Sequence, residues 1–422
     1  MSFRRSQLSI AALFFALGFQ YSTWASRIPA LADRLHLSAA EVGVLLLAAG
    51  VGAVVSAPLV PKLMTALGSR RLALAAVLVL AAALAGLETA PGYRSLLAVL
   101  LIDGVAVGCL NVAMNAQGAA LEKRSGRTTM ARLHATFSGG IFGAALLASA
   151  ITSVTGSVAV HFAVAGAVLL AVPAAAPGLL TDDLPAASSA APSAASSTAT
   201  SGAPSTATSA ATSGAPSAAT SGASSGAPSR AAEPADRRWS RPSGVVVGLG
   251  LAMLLATITE GAVTDWSALY LKTVHAADHL LPLGIAVTSG MMLLARFFAD
   301  GWRDRWGDRA VVAAGSTLAG AGLLTALLTG GAGPALAGFA CVGLGMAAVS
   351  PCLYVAAARH GPAALTAAAA MSTTGLLVGP PAIGFLADVT SLRWGLGAVV
   401  VTAWLTVPCA LLLRPRVPVA VS

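Results

Sequence analysis

Among the ionisable side chains within long apolar stretches of the sequence, four could carry a proton, namely Asp103, His134, Glu260 and Asp265. A charged side chain near the centre of a bilayer costs roughly 2.5–3.5 kcal/mol on insertion scales, so one that is kept there usually faces a cavity and pairs with another group. A carboxyl group in such a place can take up and release a proton as its partner moves. These four residues are therefore candidates for proton coupling.

Glu260 is the best placed of the four, because it lies near the middle of its apolar stretch. Its alternative role is a hydrogen bond that ties two helices together. Asp265 follows five residues later, and at about 100° per residue the two side chains point about 140° apart. We expect Asp265 to lie nearer the membrane surface, as a gate or structural cap. His134 is either a proton relay or a partner of Glu122.

A second group of side chains could bind a solute. Asn111 and Asn115 are four residues apart and share one helix face, so they could offer amide groups to hydroxyl-bearing molecules or hydrogen-bond another helix. Trp24 and Trp266 could stack on a substrate ring, or belong to the aromatic belt at the membrane surface.

Arg27 is the one basic candidate for solute binding, since it follows Trp24 by three residues. It could bind an anionic group or extend to the membrane surface. Asp103 lies in the sequence Asp103-Gly104-x3-Gly108, whose small residues allow a close helix approach. We expect Asp103 to pair with Arg27.

Membrane-spanning helices must position these residues, as the composition shows. Of the 422 residues, 56% are hydrophobic and 10% charged, and the mean hydropathy of +0.81 is far too high for a soluble domain. A spanning helix needs about 20 mostly apolar residues. Twelve such stretches occur, at about 8–29, 41–63, 71–89, 94–119, 132–152, 157–178, 244–271, 282–300, 309–329, 334–357, 363–388 and 394–413. They predict an all-α membrane protein with twelve transmembrane helices in two pseudo-symmetric six-helix bundles.

The basic residues indicate how these helices are oriented. With both termini in the cytoplasm, the outer loops hold only Arg27, Arg34, Arg94, Lys272 and Arg393, and the inner side holds the other 20 of the 25 Lys and Arg residues. This bias predicts a multi-pass protein of the inner (plasma) membrane with cytoplasmic termini. It also accounts for the net charge of +9 without a nucleic-acid partner.

The segment 181–242 interrupts the apolar pattern. It consists mainly of Ala, Ser, Thr, Gly and Pro, with near-repeats at 201–205 and 213–217. Such a composition buries too little apolar surface to offset its ordering entropy. We therefore predict a disordered cytoplasmic linker between an N-terminal bundle at 1–180 and a C-terminal bundle at 243–422.

The two halves share a weak internal repeat. Trp24 corresponds to Trp266 at an offset of 242, and the segment 67–70 (Leu-Gly-Ser-Arg) corresponds to 306–309 (Trp-Gly-Asp-Arg) at an offset of 239. Two halves in the same orientation form a parallel repeat, and such a repeat places a cavity at the interface between them.

At these residues the chain resembles the major facilitator superfamily, and within it the sugar-permease-like branch that includes fucose-permease-like proteins. The first half carries Trp24-Ala-Ser-Arg27-Ile-Pro29, Asn111-x3-Asn115-Ala-Gln117-Gly118, Glu122-Lys123-Arg124 and His134-Ala-x-Phe-Ser138. The second half carries Glu260-Gly261-x3-Asp265-Trp266-Ser267, Arg296-x3-Asp300, Asp304-Arg305-x-Gly307 and Gly379-Pro380-Pro381.

The resemblance implies a latch at the inner surface, built on the family's loop signature Gly-x3-Asp-Arg-x-Gly-Arg. The copy between helices two and three is eroded, with Pro61, Thr65 and Ala66 in the Gly, Asp and Arg positions. The copy between helices eight and nine is better preserved. We expect charge pairing at the helix ends there, by the residues Arg296, Asp300, Asp304 and Arg305.

The sequence offers no pattern typical of an enzyme or a metal site. It lacks His-Glu-x2-His, Gly-x-Ser-x-Gly and Walker sequences, and its four cysteines fall inside predicted helices without a CxxC pair. We expect no catalysis, no metal and no cofactor.

The function that these observations favour is secondary active transport of a small polar organic solute, sugar-like by resemblance, through alternating access with proton coupling. The partners are the solute, protons and the lipid bilayer, and a monomer suffices. Helix five lacks the Gly-Pro of antiporters, which favours symport. The alternatives are an exporter of drug-like compounds or secondary metabolites, and a non-transporting sensor or scaffold on a transporter fold.

Overall fold

The computed structural model describes residues 3–175 and 244–413, and the predicted linker at 181–242 lies outside these residues. The first half contains α1 (Phe3–Ala25), α2 (Ile28–Leu35), α3 (Ala39–Ser56), α4 (Val60–Thr89), α5 (Tyr93–Ser125), α6 (Met130–Val154) and α7 (Val158–Ala175). The second half contains α8 (Gly244–Thr273), α9 (Leu283–Thr329), α10 (Ala332–Met346), α11 (Val349–Arg359), α12 (Pro362–Val389) and α13 (Leu392–Cys409), with short 3₁₀ helices at Asp278–Leu280 and Ala410–Leu412.

Helices α4 and α9 each turn sharply at a glycine. Gly68 has φ 74° and ψ 164°, and Gly307 has φ 81° and ψ 156°. Residues with a side chain rarely adopt positive φ, so glycine permits the turn at each site. In α9, Thr288 lies against Gly343 of α10 and Gly315 lies against Gly345. A straight helix would hold Thr288 and Gly315 about 40 Å apart, so α9 consists of two spans that fold back on each other.

The described residues account for twelve spans. Ten helices there are long and apolar enough to cross a membrane, and one of them, Asp278–Thr329, contains the two spans that meet at Gly307. The shorter apolar helix Val158–Val172 supplies the twelfth. The prediction of twelve helices in two bundles is therefore confirmed.

The two membrane sides are distinguished by the loops that they carry. The basic side is the one where α1 begins and where Gly68, Gly126 and Gly307 end or turn their helices. The opposite side carries the α2–α3 connection and the 3₁₀ helix Asp278–Leu280.

The internal repeat is visible in the backbone. Gly68 and Gly307 occupy corresponding turns with nearly the same φ and ψ. Trp24 and Trp266 are both buried, with 3% and 0% of their surface exposed. The correspondence that the sequence predicts between 67–70 and 306–309 is thus confirmed.

Local sequence sets where the helices begin. At α3, the Ser38 hydroxyl accepts from the Glu41 amide at 3.2 Å and the Glu41 carboxylate accepts from the Ser38 amide at 2.8 Å, which forms a capping box. At α6, the Glu122 carboxylate accepts from the amides of Thr129 and Met130 at 2.5 and 2.8 Å. A carboxylate suits this position because the helix N-terminus carries partial positive charge.

The halves meet along two seams. The first seam joins α3 to α12, where a Cβ on Gly384 would lie 2.6 Å from the Ala39 carbonyl oxygen and a Cβ on Gly43 would lie 2.9 Å from the Pro381 Cα. The second seam joins α6 to α9 and includes the side chains that form the candidate site. The first seam is closest near the opposite side, since α3 begins and α12 ends there.

Candidate functional site

A cavity of about 260 Å³ lies between α6, the first span of α9 and the α10–α11 turn. Its polar lining comes from Arg132, His134 and Ser138 of the first half and from Arg296, Asp300 and Arg303 of the second half. The rest of the lining is apolar, including Leu293, Phe297 and Pro351. The cavity lies toward the basic side and is bounded by both halves, as the parallel repeat predicts.

A buried ion pair closes the deep end of this cavity. The Arg296 Nη2 atom lies 3.6 Å from the Glu260 Oε1 atom, and Arg296 Nη1 donates a hydrogen bond to the Ser138 hydroxyl at 3.1 Å. Glu260 and Arg296 belong to the second half, whereas Ser138 belongs to the first. The Arg296 guanidinium therefore contacts both halves of the protein.

A small pocket of about 40 Å³ continues beyond the ion pair; it is called the polar pocket for its hydroxyl and carboxyl groups, although most of its lining is apolar. It is lined by Glu260, Thr264, Ser289 and Tyr21, among others. The Tyr21 hydroxyl donates a hydrogen bond to Asp265, and this bond joins α1 of the first half to α8 of the second. Because Asp265 lies five residues beyond Glu260, about 7.5 Å along the helix, this bond lies closer to the opposite side.

Further contacts hold the opposite side closed. Lys272 of α8 forms an ion pair with Asp33 of α2, and the Ser149 hydroxyl of α6 donates to the His279 carbonyl at 2.6 Å. Both contacts cross between the halves. Together with the close approach at Gly384, they separate the polar pocket from the opposite side.

The expected pair of Asp103 with Arg27 is wrong. Asp103 accepts a hydrogen bond from the Gln20 side chain at 2.5 Å, and Arg27 Nε donates to His161 Nδ1 at 3.0 Å. Arg27 lies seven residues beyond Gln20, about 10 Å farther along the first span, and so cannot reach the depth of Asp103. Both contacts lie within the first half.

The expected partner of His134 is also wrong. Glu122 caps the start of α6, as described above, while the His134 ring packs edge-on against Phe14 with the ring centroids 4.9 Å apart. His134 lines the basic-side cavity near Arg296. A role for His134 in proton transfer stays a prediction.

The five predicted solute-binding residues do not line the basic-side cavity in this conformation. Asn115 donates to the backbone and side-chain oxygens of Asn111 at 2.8 and 2.7 Å, so the pair bonds within one helix. The burial of Trp24 and Trp266 rules out the aromatic belt. Trp24 lines a small apolar pocket of the first half, and Trp266 packs near Gly384 at the closed seam.

Of the four residues expected to pair at the basic surface, Asp300 does so, and its partner Arg303 is not one of the four. Arg303 donates to Asp308 at 2.8 Å and to Asp300 at 3.4 Å, and Arg359 lies 4.0 Å from Asp308. Arg296 instead pairs with Glu260. Asp304 and Arg305 are exposed and form no ion pair with the residues that the structure describes. The observed contacts all lie in the second half.

Sequence reasoning misses three buried polar residues, of which Tyr21 lines the site and Gln20 and His161 lie elsewhere in the first half. Tyr21 and Gln20 sit side by side in an apolar span and each binds a buried carboxylate. His161 is an ionisable group in the apolar helix α7. Polarity inside a predicted span was the available signal for all three.

The described residues contain no cluster of three or more His, Cys, Asp or Glu side chains that could hold a metal ion. Their four cysteines are free thiols. The groups that the candidate site presents are its ion pair, hydroxyl groups and carboxyl groups.

Comparisons with known proteins agree with this architecture. An uncharacterised MFS-type transporter of Yersinia pestis is 29% identical over 402 residues, which cover 93% of this chain and 92% of the relative. The crystal structure of the nucleoside transporter NupG has a TM-score of 0.65 at 13% identity and covers 97% of this chain and 98% of its own. The outward-conformation structure of FucP, an MFS transporter, has a TM-score of 0.56 at 16% identity, with 97% and 99% covered.

The two solved structures support the fold, and the sequence match supports the family. The family model of the Major Facilitator Superfamily matches residues 8–373, which is most of the chain. A buried ion pair at the end of a cavity between two six-helix halves suits such a carrier. The chain belongs to the Major Facilitator Superfamily of membrane transporters.

Proposed function

We propose that this protein is a secondary active transporter that moves a small polar organic solute by alternating access, in symport with a proton carried by Glu260. The basic side faces the cytoplasm in this proposal, because the sequence assigns 20 of the 25 Lys and Arg residues to that side, and 19 remain once the deep Arg296 is set aside. The protein then lies in the plasma (inner) membrane with both termini in the cytoplasm.

The observation that carries the proposal is the Glu260–Arg296 pair at the deep end of the cavity. A buried ion pair is tolerated because each charge compensates the other, and removal of one charge leaves the other at a cost of about 3–5 kcal/mol. Protonation of Glu260 removes one charge without a mutation. The resulting state needs a different partner for Arg296, so protonation and solute occupancy are energetically coupled.

Alternating access supplies the second part of the proposal. In this conformation the cavity lies toward the basic side, and the opposite side is closed by Tyr21–Asp265, Lys272–Asp33 and the Gly384 contact. Separation of α3 from α12 and closure of α6 on α9 would expose Glu260 to the opposite side. The proton and the solute enter from that side and leave through the basic-side cavity.

For the solute we propose a chemical class, namely a small polar organic molecule. NupG, whose fold this chain shares, is described as a nucleoside transporter. The polar pocket here holds the hydroxyl oxygens of Tyr21, Thr264 and Ser289 beside Glu260; each hydroxyl donates to a protein oxygen and can still accept a hydrogen bond. Hydroxyl and carboxyl groups of this kind suit a polar solute rather than a purely apolar one.

The test is proton movement in proteoliposomes that contain the purified protein and a pH-sensitive dye. A panel of monosaccharides, nucleosides and small organic acids is added outside, and wild type is compared with Glu260→Gln. We expect at least one solute to drive proton influx in wild type, and the variant to lose at least 90% of that influx. Glutamine keeps the size of the side chain but cannot carry the proton.

Asp103→Asn is the matched control, because it also neutralises a fully buried carboxyl group. Asp103 is bonded to the neutral Gln20 within the first half, away from the cavity. We expect this variant to retain coupled proton influx. Equal proton influx in Glu260→Gln and wild type would contradict the assignment of the proton to Glu260.

A further inference from the structure

Arg296 has unused capacity to bind a ligand. A guanidinium group has five N–H donors and forms its strongest contacts as a two-point pair with a carboxylate. Here one nitrogen donates to Ser138, and the contact with Glu260 at 3.6 Å is longer than an ordinary hydrogen bond. The buried Nε atom has no hydrogen-bond partner among the described residues. The two-point geometry is therefore not satisfied by Glu260.

The other charges of the cavity do not compensate for Arg296. Arg303 is already neutralised by Asp308 and Asp300, which it contacts at 2.8 and 3.4 Å. Arg132 and His134 add no negative charge. Glu260 is thus the counter-ion of Arg296, and the proposed transport cycle protonates that counter-ion.

From these contacts we infer that the transported solute carries a carboxylate group, which binds the Arg296 guanidinium when Glu260 is protonated. This inference rests on the proposed function, because it assumes that Glu260 gives up its charge during the cycle. The carboxylate restores the lost negative charge and can complete the two-point contact. Ser138 of the first half stays bonded to Arg296, so the occupied site still links both halves.

The cavity sets further limits on this solute. Its volume of about 260 Å³ is just below the range of typical ligand pockets, which is about 300–1,000 Å³. Beside Arg296, the lining includes Leu293, Phe297 and Pro351. We therefore place a small monocarboxylate in the site, with its charged end at Arg296 and its body against the apolar wall.

The inference also fixes the electrical character of transport. One proton on Glu260 and one carboxylate on Arg296 move together, so no net charge crosses the membrane. A neutral solute with one proton would carry one positive charge. The two cases differ in their response to membrane potential, which changes the free energy by about 2.3 kcal/mol per charge per 100 mV.

The binding experiment uses pairs of compounds with the same skeleton, namely lactate and lactamide, nicotinate and nicotinamide, and gluconate and gluconamide. Affinity is measured for the full-length protein in lipid nanodiscs. We expect binding only among the acids, with at least about a 30-fold loss in Arg296→Gln, as for removal of one partner of a buried charge pair. Glu260→Gln should bind the acid at least as tightly as wild type, because a competing carboxylate is removed.

Two further variants guard against misfolding and non-specific charge effects. Arg296→Gln combined with Glu260→Gln removes both charges of the pair, so no buried charge is left alone, and it should also fail to bind the acid. Arg94→Gln removes an exposed arginine on the opposite side and should bind as wild type does. Acid binding that survives in the double variant, equal binding of an amide and its acid, or no binding by any acid would each overturn the inference.

Transport of the bound acid separates this inference from the proposed function. We expect proton-coupled uptake that does not respond to a potassium diffusion potential set with valinomycin. If a neutral solute drives proton influx through Glu260, the proposed function holds and the carboxylate inference fails. If an acid binds through Arg296 without moving protons, the carboxylate inference holds and the proton coupling fails.

Discussion

The two seams between the halves are formed by different kinds of contact. At the α3–α12 seam, backbone lies against backbone, and the nearest atom to a Cβ on Gly384 would be the Ala39 carbonyl oxygen. At the α6–α9 seam, side chains make the contact, with Phe142 packed on Gly290 and Arg296 bonded to Ser138. The first seam therefore depends on close packing of backbone, whereas the second includes a hydrogen bond from Arg296, which also forms an ion pair with Glu260.

The largest effect should come from Gly384→Ala, because the added methyl group meets backbone that cannot move aside. Overpacking of this kind costs about 1–3 kcal/mol. We expect the closed opposite side to lose about 5- to 150-fold in relative population. The measurement is labelling of Leu377→Cys, which lies against Gly50 in the same seam, by a membrane-impermeant maleimide in a chain whose four native cysteines are replaced.

Gly290→Ala is the matched control in the other seam. Its nearest neighbour is the Phe142 ring, at 3.0 Å from the new Cβ, and a ring edge can shift where a carbonyl cannot. We expect labelling close to that of the parent chain. Equal labelling in the two glycine variants would remove the distinction between the seams.

An intermediate effect should follow from Tyr21→Phe, which deletes the hydroxyl that donates to Asp265 across the halves. A hydrogen bond to a charged group contributes about 1.5–3 kcal/mol. When the opposite side opens, water can hydrogen-bond Asp265 and replace part of this free energy. We therefore expect Tyr21→Phe to raise labelling at position 377 about tenfold. Tyr93→Phe is the control, since the Tyr93 hydroxyl donates to the Glu41 carbonyl within the first half. An unchanged labelling rate in Tyr21→Phe would show that this bond does not hold the opposite side closed.

The smallest effect should come from Lys272→Gln. The ion pair with Asp33 crosses the halves, but the two side chains are 39% and 62% exposed. Exposed pairs contribute about 0–1 kcal/mol and weaken with salt. We expect less than about a fivefold rise in labelling at low salt. At about 0.5 M salt we expect no rise, because salt already screens the Lys272–Asp33 ion pair of the parent chain. A rise well above fivefold at low salt that disappears at about 0.5 M salt would mean that this ion pair, and not backbone packing, holds the opposite side closed.

The fold could be predicted well because span length and hydropathy are local properties. The predicted break at 300–309 is present, although the helix continues to Trp306 and turns only at Gly307. This continuation matters for Arg296, which lies eleven residues before the turn, about 16 Å along the helix. It is therefore a deep residue and not part of a surface latch.

The site could be predicted only in part, because pairing depends on helix rotation and on which helices are neighbours. The sequence indicates that Glu260 is a buried carboxyl group, but its partner Arg296 belongs to another helix. The same limit makes Arg27 the expected partner of Asp103, whereas the observed partner is Gln20. Sequence spacing gives the depth and face of one residue on one helix, and it does not say what lies opposite.

The two glycine turns, at Gly68 and Gly307, have different kinds of polar contact beside them. Near Gly68 the Gln117 side chain donates to the Ser69 hydroxyl at 2.6 Å, whereas near Gly307 the contacts are ionic, among Arg303, Asp308 and Arg359. Neutral hydrogen bonds hardly respond to ionic strength, while partly exposed ion pairs are screened over a Debye length of about 10 Å at 0.1 M salt. Concentrated electrolyte should thus weaken the ion pairs beside the second turn, whereas the Gln117–Ser69 hydrogen bond beside the first should persist.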